Sequence, residues 1–257
     1  MSRYKLRANY DIENIDSQKM DGTVIVDVPM LSNGELNYGL SHIKKKLYEE
    51  NVYPSEIGFD IMSLATMVYM ADTRIERVVH GQDSWTREIE LEIPVSNVEI
   101  WDSQIRTVER MLKFLTGDLW KITLSSRAWQ FNNLEEVREK SNKYDEVSLF
   151  SGGMDSLIST INLMENKKNT LLISHAGEGL TKNAQKNIVN KFDLLYPDVL
   201  HTWLDLWMVF PRDYIPAGGN DNNTRSRSFL FIGYALFAMT GMDNINELLV
   251  PENGLIA

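Results

Sequence analysis

The chain has 257 residues, no cysteine and a formal net charge of −10, from 26 Lys and Arg against 36 Asp and Glu. Apolar residues make up 43% and charged residues 24%, a composition typical of folded rather than disordered proteins. The lack of cysteine excludes disulfides, zinc–thiolate sites, iron–sulfur clusters and thiol catalysis within this sequence. No apolar run reaches the roughly 18 residues of a membrane span, and the first residues lack the apolar core of a signal peptide. We therefore expect a soluble cytoplasmic protein without broad nucleic-acid binding.

The first part of the chain mixes strand and helix patterns. Alternating or β-branched apolar residues predict strands at 4–10, 23–28, 89–93 and 119–124. Helical spacing predicts one helix through Ile61–Val68 and another through Trp101–Leu115, which Gly117 ends as a C-cap. The polar, charge-rich segment 130–146 indicates a linker. Residues 1–129 are therefore expected to form a smaller α+β domain.

Strands and helices alternate strictly in residues 147–257. Short apolar runs predict strands at 147–150, 170–174, 201–204 and 248–250, with a helix in each of the three intervals. This order is typical of an α/β domain with a Rossmann-like parallel sheet covered on both faces. Ligands of such sheets bind at the edge where the strands have their carboxyl ends.

The turn after the first of these strands carries the candidate chemistry. Its residues are Ser151, Gly152, Gly153, Met154, Asp155 and Ser156. Two glycines allow a sharp turn and a close approach to a ligand, and the N–H groups of the following helix favour an anion. The serine hydroxyls suit phosphate oxygens, and Asp155 is a candidate ligand for Mg²⁺ on a polyphosphate. The alternatives are an ordinary strand–helix turn and a loop that binds ATP without turning it over.

The spacing matches neither a Walker A loop nor the GxGxxG fingerprint. An SGGMDS sequence after an apolar strand instead resembles the PP-loop of the ATP pyrophosphatases, whose domains have an adenine nucleotide alpha hydrolase-like fold. The resemblance implies that ATP and Mg²⁺ are bound and that a substrate oxygen attacks the α-phosphorus of ATP. Pyrophosphate leaves, and a nucleophile then displaces AMP from the adenylated intermediate.

Two further segments narrow the resemblance. Residues 114–120 (FLTGDLW) and 251–254 (PENG), together with the SGGMDS loop, resemble the QueC-like (7-cyano-7-deazaguanine synthase-like) proteins of bacterial anti-phage defence, those of the Qat system in particular. This implies partner proteins from the same operon. It also implies an acceptor that is either a deazapurine carboxylate or a group on a protein or nucleic acid.

The resemblance implies site residues outside the loop. Arg225 or Arg227 matches an arginine that opens the third helix beside the ATP phosphates, the alternative being solvated loop arginines. Gly177 matches a glycine of the turn after the second strand, and His175 at the end of that strand is a candidate ATP contact or a surface histidine. The turn at 252–253 either faces the substrate or is an ordinary turn.

The sequence thus predicts a ligase that consumes ATP and releases AMP and pyrophosphate, with Asp155, Arg225 and Arg227 as catalytic candidates. A non-catalytic ATP-binding scaffold that docks a partner and a tRNA-modifying PP-loop enzyme are the alternatives. Deazaguanine synthases carry a cysteine zinc site, and this sequence has no such ligands. Because four strands are few for such a sheet, which usually has about five, we expect a fragment or natural split that lacks C-terminal elements of the active site.

Overall fold

The computed structural model describes residues 3–131, 139–175, 179–208, 210–222 and 225–252. Within them the chain is a mixed α/β protein whose sheets are rich in parallel pairings. It divides into two compact units. The first comprises Met1–Ser41, Phe59–Asn133 and Val209–Leu230, and the second His42–Gly58, Leu134–Met208 and Phe231–Ala257. The chain passes from one unit to the other within segment 130–146, but each unit also takes residues from the other half of the sequence.

The elements follow in chain order. Up to residue 126 they are β1 (Arg3–Asn9), β2 (Asp16–Met20), β3 (Thr23–Pro29), β4 (Leu31–Ser32), β5 (Glu35–Leu36), α1 (Leu40–Glu49), α2 (Glu56–Arg74), α3 (Arg77–His80), β6 (Glu88–Val95), α4 (Val98–Asp102), α5 (Ile105–Thr116) and β7 (Leu119–Ser126). After it they are β8 (Glu146–Leu149), α6 (Met154–Glu165), β9 (Thr170–His175), α7 (Gly179–Leu195), β10 (His201–Leu206), α8 (Arg227–Met239) and β11 (Leu248–Leu249).

The first unit is built on a five-stranded sheet in the order β2-β3-β1-β6-β7. Its inner face is a row of side chains in register, in which Leu6 pairs with Val26 and Leu91, and Leu91 pairs with Ile122. Only β2 runs antiparallel to its neighbour, so the expected α+β unit is instead mainly parallel. Helix-bearing connections between β3 and β6 and between β6 and β7 allow these strands to run in one direction. The predicted C-cap at Gly117 is confirmed, with a φ of +78° and its N–H bonded to the Lys113 carbonyl.

A buried ion network lies in the first unit. Arg87 donates to Asp118 Oδ2 (2.6 Å) and Asp72 Oδ1 (2.5 Å), and Arg77 donates to Asp118 Oδ1 (2.7 Å). Burial alone would raise the pKa of Asp118, but the hydrogen bonds and charge of Arg87, with those of Arg77, lower it below its usual range. Asp221 lies within 4 Å of both guanidinium groups as a third carboxylate, so each buried charge of this network has partners of opposite sign.

The second unit contains a four-stranded, wholly parallel sheet in the order β10-β9-β8-β11. The predicted alternation of four strands and three helices is confirmed, with ends shifted by a few residues at most. Every residue of β9 is buried, as expected for a strand covered on both faces. Phe150, Leu172 and Phe192 form the centre of a hydrophobic cluster that joins the sheet to α6 and α7.

Candidate functional site

The SGGMDS loop lies at the point where the strand order of the second unit reverses. From β8 the chain proceeds through α6 to β9 and through α7 to β10, whereas β11 returns to the other side of β8. Because all four strands are parallel, their carboxyl ends share one edge. A crevice outside that edge, between a strand and its neighbour across the reversal, is the common ligand site of open α/β sheets. The loop after β8 forms one side of it, and residues 250–252 after β11 follow the neighbouring strand.

The backbone of the loop makes a sharp turn into α6. Gly152 has a φ of +81°, a left-handed conformation that side chains disfavour. Gly153 is the N-cap of α6 and has extended backbone angles. As a glycine it has no side chain to cap the helix, so the first-turn N–H groups of this 12-residue helix receive no side-chain cap. Such N–H groups, together with the helix dipole, favour a phosphate.

The two serines of the loop have different surroundings. Ser156 is buried, and its hydroxyl accepts from the Gly152 N–H (3.1 Å) and donates to the Gly153 carbonyl (2.9 Å). Ser151 is exposed, and its hydroxyl accepts from the Gly153 N–H (3.2 Å). The sequence predicted both hydroxyls as phosphate donors. In the structure Ser156 shapes the loop from inside, and Ser151 is the serine that faces solvent.

Two buried polar side chains that the sequence analysis did not select hold the strand end. Gln185 of α7 donates through its amide to the carbonyls of Ser151 (2.9 Å) and Phe150 (3.4 Å), and a Cβ on Gly152 would lie 2.8 Å from the Gln185 Cγ. Ser174 of β9 donates to the Phe150 carbonyl (2.5 Å) and accepts from the Trp203 indole (2.9 Å). These contacts from neighbouring elements fix the loop's starting position.

Asp155 lies exposed in the first turn of α6, beside the largely exposed Met154. Among the residues that the structure describes, no group of three or more His, Asp or Glu side chains could hold a metal ion. A single carboxylate is nevertheless compatible with Mg²⁺, which is usually held by one or two carboxylates plus substrate phosphates. Asp155 therefore fits an ion brought by ATP better than a site made by protein alone.

A cationic pair occurs at the same sheet edge, at the end of β10. Lys46 and Lys182 both form ion pairs with Asp205. Burial would raise the pKa of Asp205, but the hydrogen bonds and charges of the two lysines lower it. Lys182 lies one turn before Gln185 on α7 and about half of its side chain is exposed. Sequence reasoning missed this lysine because its partner is on a distant strand.

The other predicted residues of this edge have varied positions. His175 is buried at the end of β9, with its ring stacked on Tyr234 at 5.9 Å between centroids. Gly177 lies outside the described residues, as does Asn253, whereas Glu252 is exposed after β11. His175 is thus not a surface histidine, and its contact with ATP stays a prediction.

Arg225 and Arg227 belong to the first unit. Arg225 donates to the Thr116 carbonyl (2.8 Å), and its guanidinium lies over the Trp85 ring at 4.5 Å from the centroid. Arg227 begins α8. Burial raises the pKa of Tyr69, and the charge of Arg227 opposes that rise, so the two groups interact electrostatically. The phosphate role of both arginines stays a prediction.

Comparisons of the chain with protein-family models, with curated proteins and with solved structures found no match. None of the helices in the described part of the chain combines the length and the apolar character that crossing a membrane requires.

Proposed function

We propose that the second unit binds ATP through residues 151–156 and that the protein is an ATP pyrophosphatase of the PP-loop type with a Rossmann-like sheet. The observation that carries this proposal is the position of the SGGMDS loop. It is a glycine turn with an uncapped helix N-terminus, and it lies where a parallel sheet reverses its strand order. Anions bind at such helix ends, and nucleotides bind at such reversals.

The loop would hold the β- and γ-phosphates, which become the leaving group. The first-turn N–H groups of α6 and the Ser151 hydroxyl would donate to phosphate oxygens, and Asp155 would hold Mg²⁺. Mg²⁺ supplies neutralisation of the phosphate charge that grows as the leaving group departs. A substrate oxygen attacks the α-phosphorus, the bond between that phosphorus and the bridging oxygen breaks, and pyrophosphate leaves with both electrons. A nucleophile then attacks the adenylated intermediate and displaces AMP from it.

The wider role is part of the same proposal. A QueC-like ligase would work in the cytoplasm, where ATP and Mg²⁺ are available, with partner proteins of a defence operon. Its acceptor would be a deazapurine carboxylate or a group on a protein or nucleic acid. The assisting role that the resemblance implies for Arg225 or Arg227 stays a prediction, because both arginines belong to the first unit.

The test is ATP binding and turnover by the purified chain with Mg²⁺, measured by calorimetry and by release of AMP and pyrophosphate with candidate acceptors. Asp155→Asn should lose Mg²⁺-dependent binding at least tenfold. Asp198→Asn, which changes another exposed carboxylate of the second unit, is the matched control and should bind like the wild type. Absence of ATP binding by the wild-type chain, or equal behaviour of the two variants, would contradict the proposal.

A second candidate function is an ATP-binding scaffold without turnover. The engagement of Arg225 inside the first unit favours it, because this candidate for the assisting arginine already has structural partners there. Mg²⁺-dependent ATP binding with no AMP formed on any acceptor would select this function.

A further inference from the structure

A groove on the first unit lies between α5 and β7. Its cavity of about 570 Å³ is lined by Arg106, Glu109, Arg110, Lys113, Leu119 and Trp120. The three cations are spaced i, i+4 and i+7, which places them on one face of α5. All three are exposed, and within the described ranges none of them forms an ion pair.

The one lining carboxylate offsets only part of the charge of these three cations. Glu109 accepts the backbone N–H of Ile122 through Oε1 (2.8 Å) and so serves the edge strand. The groove therefore has an excess of positive charge on a chain whose net charge is −10. Opposite charge is the complement that such a surface fits.

Apolar side chains beside the stripe indicate which kind of anion fits. Leu119 lines the groove and is 41% exposed, and Phe114, one turn after Arg110, is 94% exposed. Arginine and aromatic side chains are enriched in protein–protein interfaces. An occupant that pairs carboxylates with the cations and also covers these apolar groups uses both features.

The same surface fits a polynucleotide poorly. Trp120, the aromatic residue that lines the groove, is buried and donates its indole N–H to Thr116 Oγ1 (2.8 Å). Phe114 is the exposed ring beside the stripe, and a single ring does not stack successive bases. The cationic stripe from Arg106 to Lys113 covers eight residues, which is only about 10 Å along a helix. The acidic remainder of the chain opposes a long phosphate backbone.

The geometry also restricts how the occupant lies. β7 is an edge strand of the five-stranded sheet, and its Leu119 N–H bonds inward to the Arg87 carbonyl. The N–H of Ile122 is instead taken by Glu109. Strand addition is therefore blocked at Ile122, and the occupant must follow α5 by side-chain contacts.

We propose that the α5–β7 groove docks an acidic segment of a partner protein in which carboxylates alternate with apolar side chains. The groove belongs to the first unit alone. The proposal therefore stands or falls separately from ATP binding by the second unit.

The test is fluorescence anisotropy with a fluorescein-labelled 12-residue peptide of alternating Glu and Leu, at low and physiological salt. The double variant R110E/K113E should bind at least tenfold more weakly than the wild type. The double variant K186E/K191E makes the same charge change at exposed positions of α7 and should stay within twofold of the wild type. Circular dichroism checks that both variants remain folded, and Phe114→Ser, which keeps every charge, should also weaken binding.

Three results would overturn the proposal. These are no binding of the peptide to the wild type, equal weakening by the two double variants, and tighter binding of a labelled 12-nucleotide oligothymidylate than of the peptide. Concentration-dependent dimerisation that R110E/K113E abolishes would show instead that a second copy of the chain fills the groove.

Discussion

Replacing Gly152 by alanine should damage the loop in two separable ways. The φ of +81° places an alanine in the left-handed region, which costs roughly 1–2 kcal/mol. The new Cβ would also lie 2.8 Å from the Gln185 Cγ, so Gln185 must move. Its hydrogen bonds to the Ser151 and Phe150 carbonyls are each worth about 0.5–1.5 kcal/mol net. With both hydrogen bonds lost, we expect a total loss of about 2–5 kcal/mol and weaker ATP binding.

Alanine substitutions at two other glycines separate these contributions. The free energy of unfolding of each variant is measured in urea, with circular dichroism as the signal. Gly22→Ala has a φ of +80° and nothing within 4 Å of the new Cβ, so it reports the backbone cost alone. Gly153→Ala has an ordinary φ and a Cβ 3.4 Å from Ser151 Oγ, so it should stay near the wild type. Equal losses for Gly152→Ala and Gly22→Ala would refute the packing of Gln185 against the loop. Unchanged ATP affinity in Gly152→Ala would refute the loop as the phosphate site.

Four further predictions concern single side chains. Gln185→Met should weaken ATP binding several-fold because it leaves the loop carbonyls without their donor, which calorimetry measures. Asp118→Asn should lose about 3–5 kcal/mol, since it breaks a buried ion network. Because the pKa of Asp118 is lowered, its contribution is present above about pH 4 and is lost as pH falls through the folded pKa. Between pH 6 and pH 3, the urea unfolding midpoint of Asp118→Asn should therefore change less than that of the wild type. Burial raises the pKa of Tyr4 to about 12, so Tyr4→Phe should remove one proton from the ultraviolet titration near that pH, and wild-type stability should fall as pH rises above about 10. Arg225→Ala should lower stability by about 1–3 kcal/mol and leave ATP affinity unchanged.

The sequence predicted the sheet of the second unit well because its signals are local. Each strand is a short apolar run and each helix has its own periodicity, so the alternation alone specifies a parallel sheet. The first sheet was harder to predict, because β1 lies between β3 and β6, and such pairing is set by packing between distant segments. Residues 42–58 belong to the second unit and residues 209–230 to the first. This assignment also depends on packing between distant segments, so no local sequence pattern predicts it.

The candidate site shows the same contrast between residues that a local pattern predicts and a residue that acts from a distant element. The loop residues are contiguous, so the sequence could place them at a strand–helix junction. Gln185 acts from another element, yet it carried a signal. It is spaced i, i+3 and i+7 with Ile188 and Phe192, on the buried face of α7. A polar residue on a buried face needs hydrogen-bond partners, and here those partners are the carbonyls at the start of the loop.

The two arginines near the start of α8 differ in what explains their position. An arginine near a helix start is poorly placed for that helix's dipole, and a bound anion is one way to compensate for this. For Arg225 the structure offers another compensation. Its guanidinium bonds the carbonyl of Thr116, the last residue of α5, so the cation lies at the negative end of a different helix. Trp85 covers the same guanidinium. Because these contacts already account for Arg225, a phosphate is not needed to explain its position near the start of α8.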